Sequence, residues 1–172
     1  RLLTLIILDG SELGTDSEIK KFNIKTRYRA VHRSFGNYEI GGEVLPSVEI
    51  EEVCVENESL PFEDYIECRR FALTVTIFYC DKIMFELTQF IKNMGFKVSE
   101  WLHYVHEDYE QFPKKLSGIY DQFTKETIEE LAESKEDFER WIKYEPGIMD
   151  DYINGNRGNN VLFNTQARVH LE

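Results

Sequence analysis

Between Glu49 and Phe85 the chain reads EIEEVCVENESLPFEDYIECRRFALTVTIFYCDKIMF. The stretch begins with the alternation of a strand, breaks at Ser59-Leu60-Pro61, and continues as a long apolar run entered through Glu63 and Asp64. Proline is tolerated in the first helical turn, and carboxylates there meet the positive end of the helix dipole. Phe62, Ile66, Leu73 and Ile77 follow at helical spacing, as do Phe71, Val75 and Phe78, so the pattern predicts a helix over about 62–79. Thr74 to Ile77 is β-branched throughout, which keeps a strand open as the alternative there. Apolar residues on most sides predict burial on several sides, at the centre of a domain. Before this stretch the chain reads as strand and loop; after it, nearly everything reads as helix.

Residues 2–8 are a continuous Leu/Ile-rich run, the pattern of a buried parallel strand, broken by Asp9-Gly10-Ser11-Glu12-Leu13-Gly14. Thr15 or Asp16 caps a short helix through Phe22, and 23–31 alternates as an extended segment. Turns are expected at Ser34–Tyr38 and at Gly41-Gly42, and a strand over 43–56 whose alternation slips at Glu51-Glu52 suggests a bulge there. Downstream, the expected helices are 82–93 closed by Gly95, one capped by Ser99, a short piece from Pro113 to about Phe123, and a long one capped by Thr124 from Lys125 to Tyr144. A short helix through Ile153, a Gly/Asn loop at 154–160, and a strand or short helix over 161–170 complete the chain. The fold class is therefore α+β, with strands and loops in 1–58 and a mostly helical segment in 59–172.

A length of 172 residues and 42% hydrophobic residues, with 12 Phe and 9 Tyr, suffice for a packed core. The net charge, 20 − 32 = −12, repels nucleic acid and anionic membranes, and no apolar run is long enough to span a bilayer. Cys54, Cys68 and Cys80 form neither a disulfide framework nor a metal-site spacing, so free, mostly buried thiols in a cytoplasmic protein are expected. The first residue is not Met, which suggests a piece of a longer protein.

Several clusters carry possible chemistry. Lys20, Lys21, Lys25, Arg27 and Arg29, with Arg33 beyond, are the one basic concentration; they either bind an anion or pair with the acidic surface, and pairing is the reading favoured. His103, His106, Glu107 and Glu110 share one side of a helix, yet the two histidines are three apart rather than four, so a solvated face is favoured over a metal site. The 154–160 loop with Arg157 lacks the Lys-Ser/Thr ending of a phosphate-binding loop. Glu63, Asp64 and Glu67 with Arg69 and Arg70 have the spacing of helical ion pairs. No nucleophile motif is present, and no catalytic residue is assigned.

The succession Leu3–Leu8, Gly10-Ser11-Glu12-Leu13, Lys25-Thr26-Arg27-Tyr28-Arg29, Ser34-Phe35-Gly36-Asn37-Tyr38, Glu49-Ile50-Glu51-Glu52-Val53 and Phe62–Arg69 resembles the C-terminal portion of radical SAM proteins that carry a cobalamin-binding domain. The resemblance covers roughly residues 2–90 and rests on the order of the motifs. It implies that the N-terminal strands are the remnant of a partial α/β barrel, and that Gly10, Ser11 and Glu12 match a strand-end turn that touches cofactor or substrate. Arg69 and Glu49 are candidates for substrate-side contacts. The implied parent enzyme holds a [4Fe-4S] cluster and S-adenosylmethionine, and its family includes cobalamin users. The CxxxCxxC cluster loop and the Asp-x-His-x-x-Gly cobalamin motif are both missing from this chain, so no cofactor is expected in it and it is expected to be inactive alone. Its partner is then the rest of the parent polypeptide, with self-association through an apolar edge at 2–8 where barrel neighbours are lacking. The competing reading is a non-enzymatic, acidic, helical protein-interaction module.

Overall fold

The computed structural model describes residues 4–171. Gly41 and Gly42 both take positive φ, as the two central residues of a tight antiparallel turn must, and they join β2 (Lys25–Ile40) to β3 (Glu43–Glu56). β1 (Ile6–Ile7) lies on the other edge of β3, giving a three-stranded antiparallel sheet in the order β1-β3-β2. Helices follow: α1 (Asp16–Lys21) precedes β2, and α2 (Phe62–Phe78), α3 (Phe85–Asn93), α4 (Val98–Glu107), α5 (Lys114–Glu129), α6 (Lys135–Tyr144), α7 (Ile148–Ile153) and α8 (Val161–Leu171) come after β3. The fold is mixed α+β, with strands first and helices after.

The expected buried parallel strand is corrected. Ile6 faces Val53 and Ile7 faces Glu52 in antiparallel register, and β1 is two residues long. Ile7 is buried while Ile6 and Leu8, on the opposite face, are exposed, as is Leu5 just before the strand. Leu2 and Leu3 of the expected run lie outside the described residues.

The expected turn at Ser34–Tyr38 is part of β2 instead. Ala30 pairs with Ile50 and Phe35 with Val48, so four β2 residues, 31–34, stand opposite Glu49 alone. The turn residues are spent on this wide bulge, where Arg33 takes φ +62 and donates its backbone N–H to the Gly158 carbonyl. Glu51 and Glu52 pair regularly with Arg29 and Tyr28; the second irregularity falls at Val55, between the Thr26–Cys54 and Lys25–Glu56 pairs. That extra residue explains three consecutive buried positions, Val53, Cys54 and Val55.

The helix over 62–78 forms as the sequence pattern predicts, and it is buried on several sides, at Tyr65, Ile66, Ala72, Leu73, Thr74, Thr76 and Ile77. Two caps differ from expectation. Lys97, not Ser99, precedes α4. Thr124 lies inside α5, its hydroxyl donating to the Tyr120 carbonyl four residues back, so it starts no helix. The break comes instead at Ser134, whose Oγ accepts from the Asp137 backbone N–H and opens α6. Residues 161–170, left open between strand and helix, are helical.

The chain forms two compact units. The first comprises Thr4–Phe62 and Ile128–Asn160, the second residues 63–127 and 161–171. The sheet unit is centred on Ala30, Ala132, Phe138, Ile148 and Tyr152. Its return segment is tied to β2 by a reciprocal backbone pair, Tyr28 N–H to Ala132 O at 2.9 Å and Ala132 N–H to Tyr28 O at 2.7 Å. The helical unit is centred on Ala72, Leu73, Ile77, Tyr120, Phe123 and Leu162.

Gly158 seals the sheet unit from the side. A Cβ there would collide with the Phe35 ring and meet Tyr152 Cδ1 at 2.7 Å, and φ is +71. Gly158→Ala is expected to cost about 2–3 kcal/mol, strain and overpacking together. Gly155→Ala, with φ +77 but only an ordinary contact for the new methyl, Asn159 Nδ2 at 3.7 Å, should cost about 1 kcal/mol. Urea denaturation of the two variants beside the wild type checks the difference; equal losses would mean that the Phe35–Tyr152 contact is not a constraint.

Candidate functional site

Four cations of the basic concentration, Lys21, Lys25, Arg27 and Arg29, are paired with carboxylates. Lys21 bonds Glu18 at 3.0 Å, Lys25 bonds Glu56, and Arg27 reaches Glu133 at 2.7 Å while lying over the Phe62 ring. Arg29 is held most tightly. Its Nε donates to Glu51 Oε1 and its Nη1 to Glu130 Oε1, both at 2.6 Å, and its side chain is 6% exposed. Burial disfavours the charge, but the two carboxylates outweigh it and hold the guanidinium above its ordinary range. These cations are structural partners of the acidic surface, as the pairing reading expects.

Gly10, Ser11 and Glu12 follow β1 directly. Gly10 takes φ +78 and the Ser11 hydroxyl donates to Leu8 O at 2.7 Å while accepting from the Gly14 N–H. The Ser11 side chain is therefore engaged in the turn, and Glu12 is exposed. Glu49 is exposed opposite the β2 bulge. These four residues belong to the sheet unit, and Arg69 belongs to the helical unit, where its guanidinium lies over the Phe123 ring. In the 154–160 loop Arg157 pairs with Glu145 and Asp151.

The most organised polar arrangement lies in the helical unit. Glu67, Arg70 and Thr74 share one side of α2 at spacings of three and four. Glu67 pairs with Arg70 in the turn, as the spacing predicts. The other Glu67 oxygen takes His106 Nε2 at 2.7 Å. His106 Nδ1 stands 3.1 Å from Thr74 Oγ1, and Thr74 Oγ1 stands 2.9 Å from the Tyr120 hydroxyl. Arg70 also donates to the Tyr109 hydroxyl at 3.1 Å. An ionised carboxylate only accepts, so Nε2 carries the imidazole hydrogen and Nδ1 of the neutral ring accepts from Thr74. Burial pushes the Tyr120 phenol up to about 12.

Carboxylate, imidazole and hydroxyl in line have the order of a hydrolase triad. Thr74 is fully buried, however, so its hydroxyl reaches no external acyl group. The metal alternative on α4 also meets an obstacle: both His106 nitrogens are engaged within the protein, and His103 is stacked on Phe71 at 4.6 Å. Among the described residues no group of three or more His, Cys, Asp or Glu side chains converges for a metal. The expected solvated face is correct for His103, Glu107 and Glu110 but not for His106, which is 6% exposed. The three thiols are unpaired; Cys54 is buried and Cys68 is exposed, against the expectation of burial. Among the described residues no helix is long and apolar enough to cross a membrane.

Sequence reasoning found the Glu67–Arg70 pair and missed its continuation to His106, Thr74 and Tyr120. A threonine among apolar helical residues was the available signal. No protein-family model and no curated protein sequence matches the chain.

Two outcomes follow from these charges. Arg29→Ala should cost about 3–5 kcal/mol, because it strands two carboxylates, whereas Arg29→Met combined with Glu51→Leu and Glu130→Leu should cost less than the single change. Denaturant titration of both variants decides; a triple variant worse than the single one would refute this account. Glu67 is held below its ordinary 4.5: burial pushes it up, but the Arg70 and His106 hydrogen bonds outweigh that. A depressed carboxylate stabilises fully above its unfolded value, so the Glu67 contribution is present above pH 4.5 and is lost as pH falls through the lower folded value. The stability gap between wild type and Glu67→Gln should therefore shrink on acidification below pH 4.5.

Proposed function

We propose that this chain is the C-terminal portion of a radical SAM iron–sulfur protein, supporting the barrel and the substrate side and inactive without the rest of the polypeptide. The resemblance in motif order supports the reading, and one structural observation carries it further. The Gly10–Glu12 turn sits at the carboxyl end of an edge strand whose outer side is unpaired among the described residues and whose Leu5, Ile6 and Leu8 are exposed. Further strands of the parent polypeptide would cover that edge and bury Leu5, Ile6 and Leu8 beside the turn. On this reading the [4Fe-4S] cluster, S-adenosylmethionine and any cobalamin are held by the parent's other segments, and Glu12 and Glu49 are the exposed carboxylates available for substrate-side contacts.

A second reading, an acidic helical interaction module, has its own support. Phe85, Leu87 and Phe90 are exposed on α3, with Ile83 exposed before it and Met94 and Phe96 beyond. Sequencing the coding DNA upstream of Arg1 separates the two. The enzyme reading expects an in-frame CxxxCxxC loop about one barrel's length upstream. A start codon immediately before Arg1 would remove it and leave the interaction module.

A further inference from the structure

The geometry points to a reversible proton-binding site at His106, with Thr74 acting as a hydroxyl rotor that keeps the surrounding hydrogen bonds complete in both charge states. Thr74 Oγ1 has three polar neighbours: His106 Nδ1 at 3.1 Å, the Tyr120 hydroxyl at 2.9 Å and the Arg70 backbone carbonyl at 3.3 Å. With His106 neutral, Nε2–H donates to Glu67, the Thr74 O–H donates to Nδ1, and the Tyr120 O–H donates to Thr74 Oγ1. When Nδ1 takes a proton it turns from acceptor to donor. The Thr74 hydrogen then swings to the Arg70 carbonyl, and Thr74 Oγ1 accepts from both His106 and Tyr120 through its two lone pairs. No heavy atom moves, and no buried polar atom of the line loses its partner. This distinguishes the site from an ordinary buried histidine, whose protonation leaves a neighbouring donor without an acceptor.

The charged groups facing the ring are consistent with uptake of one proton. From α2, Glu67 lies against Nε2, and Arg70, bonded to Glu67, opposes it. Tyr109 stacks 6.4 Å from the ring, Tyr120 of α5 acts through Thr74, and His103 of the same helix lies against Phe71, which also packs against the His106 ring. The result is a helical unit that changes its internal charge by one without breaking the contacts among α2, α4 and α5, and this role stands independently of the enzyme reading.

Long-range proton–nitrogen NMR of the imidazole groups in the full chain tests this, with circular dichroism followed in parallel. At mildly alkaline pH His106 should be the Nε2–H tautomer. On acidification it should take up one proton while the near-ultraviolet dichroism stays unchanged. Thr74→Ser should behave as wild type. Thr74→Val loses a charge-assisted bond in one state and a weaker neutral one in the other, so its His106 transition should move to lower pH than in the wild type. An Nδ1–H tautomer at alkaline pH, loss of tertiary signal coincident with His106 protonation, or a Val variant titrating like wild type would each overturn the proposal. Should the Val variant not fold, the wild-type tautomer and the Ser variant still decide.

Discussion

A guanidinium cannot shed its charge when it is buried, so Arg29 dictates much of the sheet unit. It sits on β2 at 6% side-chain exposure, and a single carboxylate would leave most of its donors unpaired. Glu51 comes from the neighbouring strand, and Glu130 from the far end of the chain's helical excursion, about a hundred residues later. The hairpin alone therefore offers too few acceptors for the donors of the buried guanidinium. A two-stranded hairpin is marginal in water in any case. The return of residues 128–160 supplies the missing carboxylate, the Ala132 backbone pair to Tyr28, and Phe138, Ile148 and Tyr152 for the core.

The helical unit solves a different problem. Helix α2 is buried on several sides, yet it carries Thr74 and Thr76 within its apolar run. The Thr76 hydroxyl donates to the Ala72 carbonyl four residues back, and the Thr74 hydroxyl has the Arg70 carbonyl within reach at 3.3 Å. Each oxygen system then has capacity left over. Thr74 uses it toward His106 and Tyr120. At Thr76 it is the backbone carbonyl that accepts from the Gln166 amide, at 3.0 Å, and that amide also reaches Asp81. Two β-branched residues that weaken helix propensity thus become the points where α4, α5 and α8 attach to α2.

Elements whose identity rests on local periodicity were legible in the sequence. The helix over 62–78, the Gly41-Gly42 turn and the Glu67–Arg70 pair each follow from contacts within a few residues of each other. What was not legible depended on distant partners. Ser34–Tyr38 carries turn residues, but the pairing of Phe35 with Val48 and the approach of Gly158 convert them to a bulge. Thr124 is a competent cap, but α5 continues through it; the true boundary, Ser134 followed by Asp137, carries a comparable cap signature. The parallel reading of residues 2–8 came from an unbroken apolar run, a pattern that says how much surface seeks cover but not which side of which strand provides it. His106 was legible as a histidine on a helix, whereas its partners lie 32 and 39 positions away in sequence.

The same distinction bears on which residues remain available for chemistry. Of the motifs that carry the family resemblance, most have structural employment. Lys25, Arg27 and Arg29 are committed to ion pairs, Ser11 to its own turn, and Phe35 to Tyr152 and Gly158. Such contacts hold the fold whether or not this portion touches a substrate. Glu12 and Glu49 differ, because both are exposed and no contact of the sheet unit described above requires their carboxylates. Glu49 is further set apart by standing alone opposite four residues of β2, which opens the strand pair around it. If the sheet unit contributes polar groups to a site completed by other parts of a longer protein, these two exposed carboxylates are available for it, whereas the charge of the arginines is already neutralised.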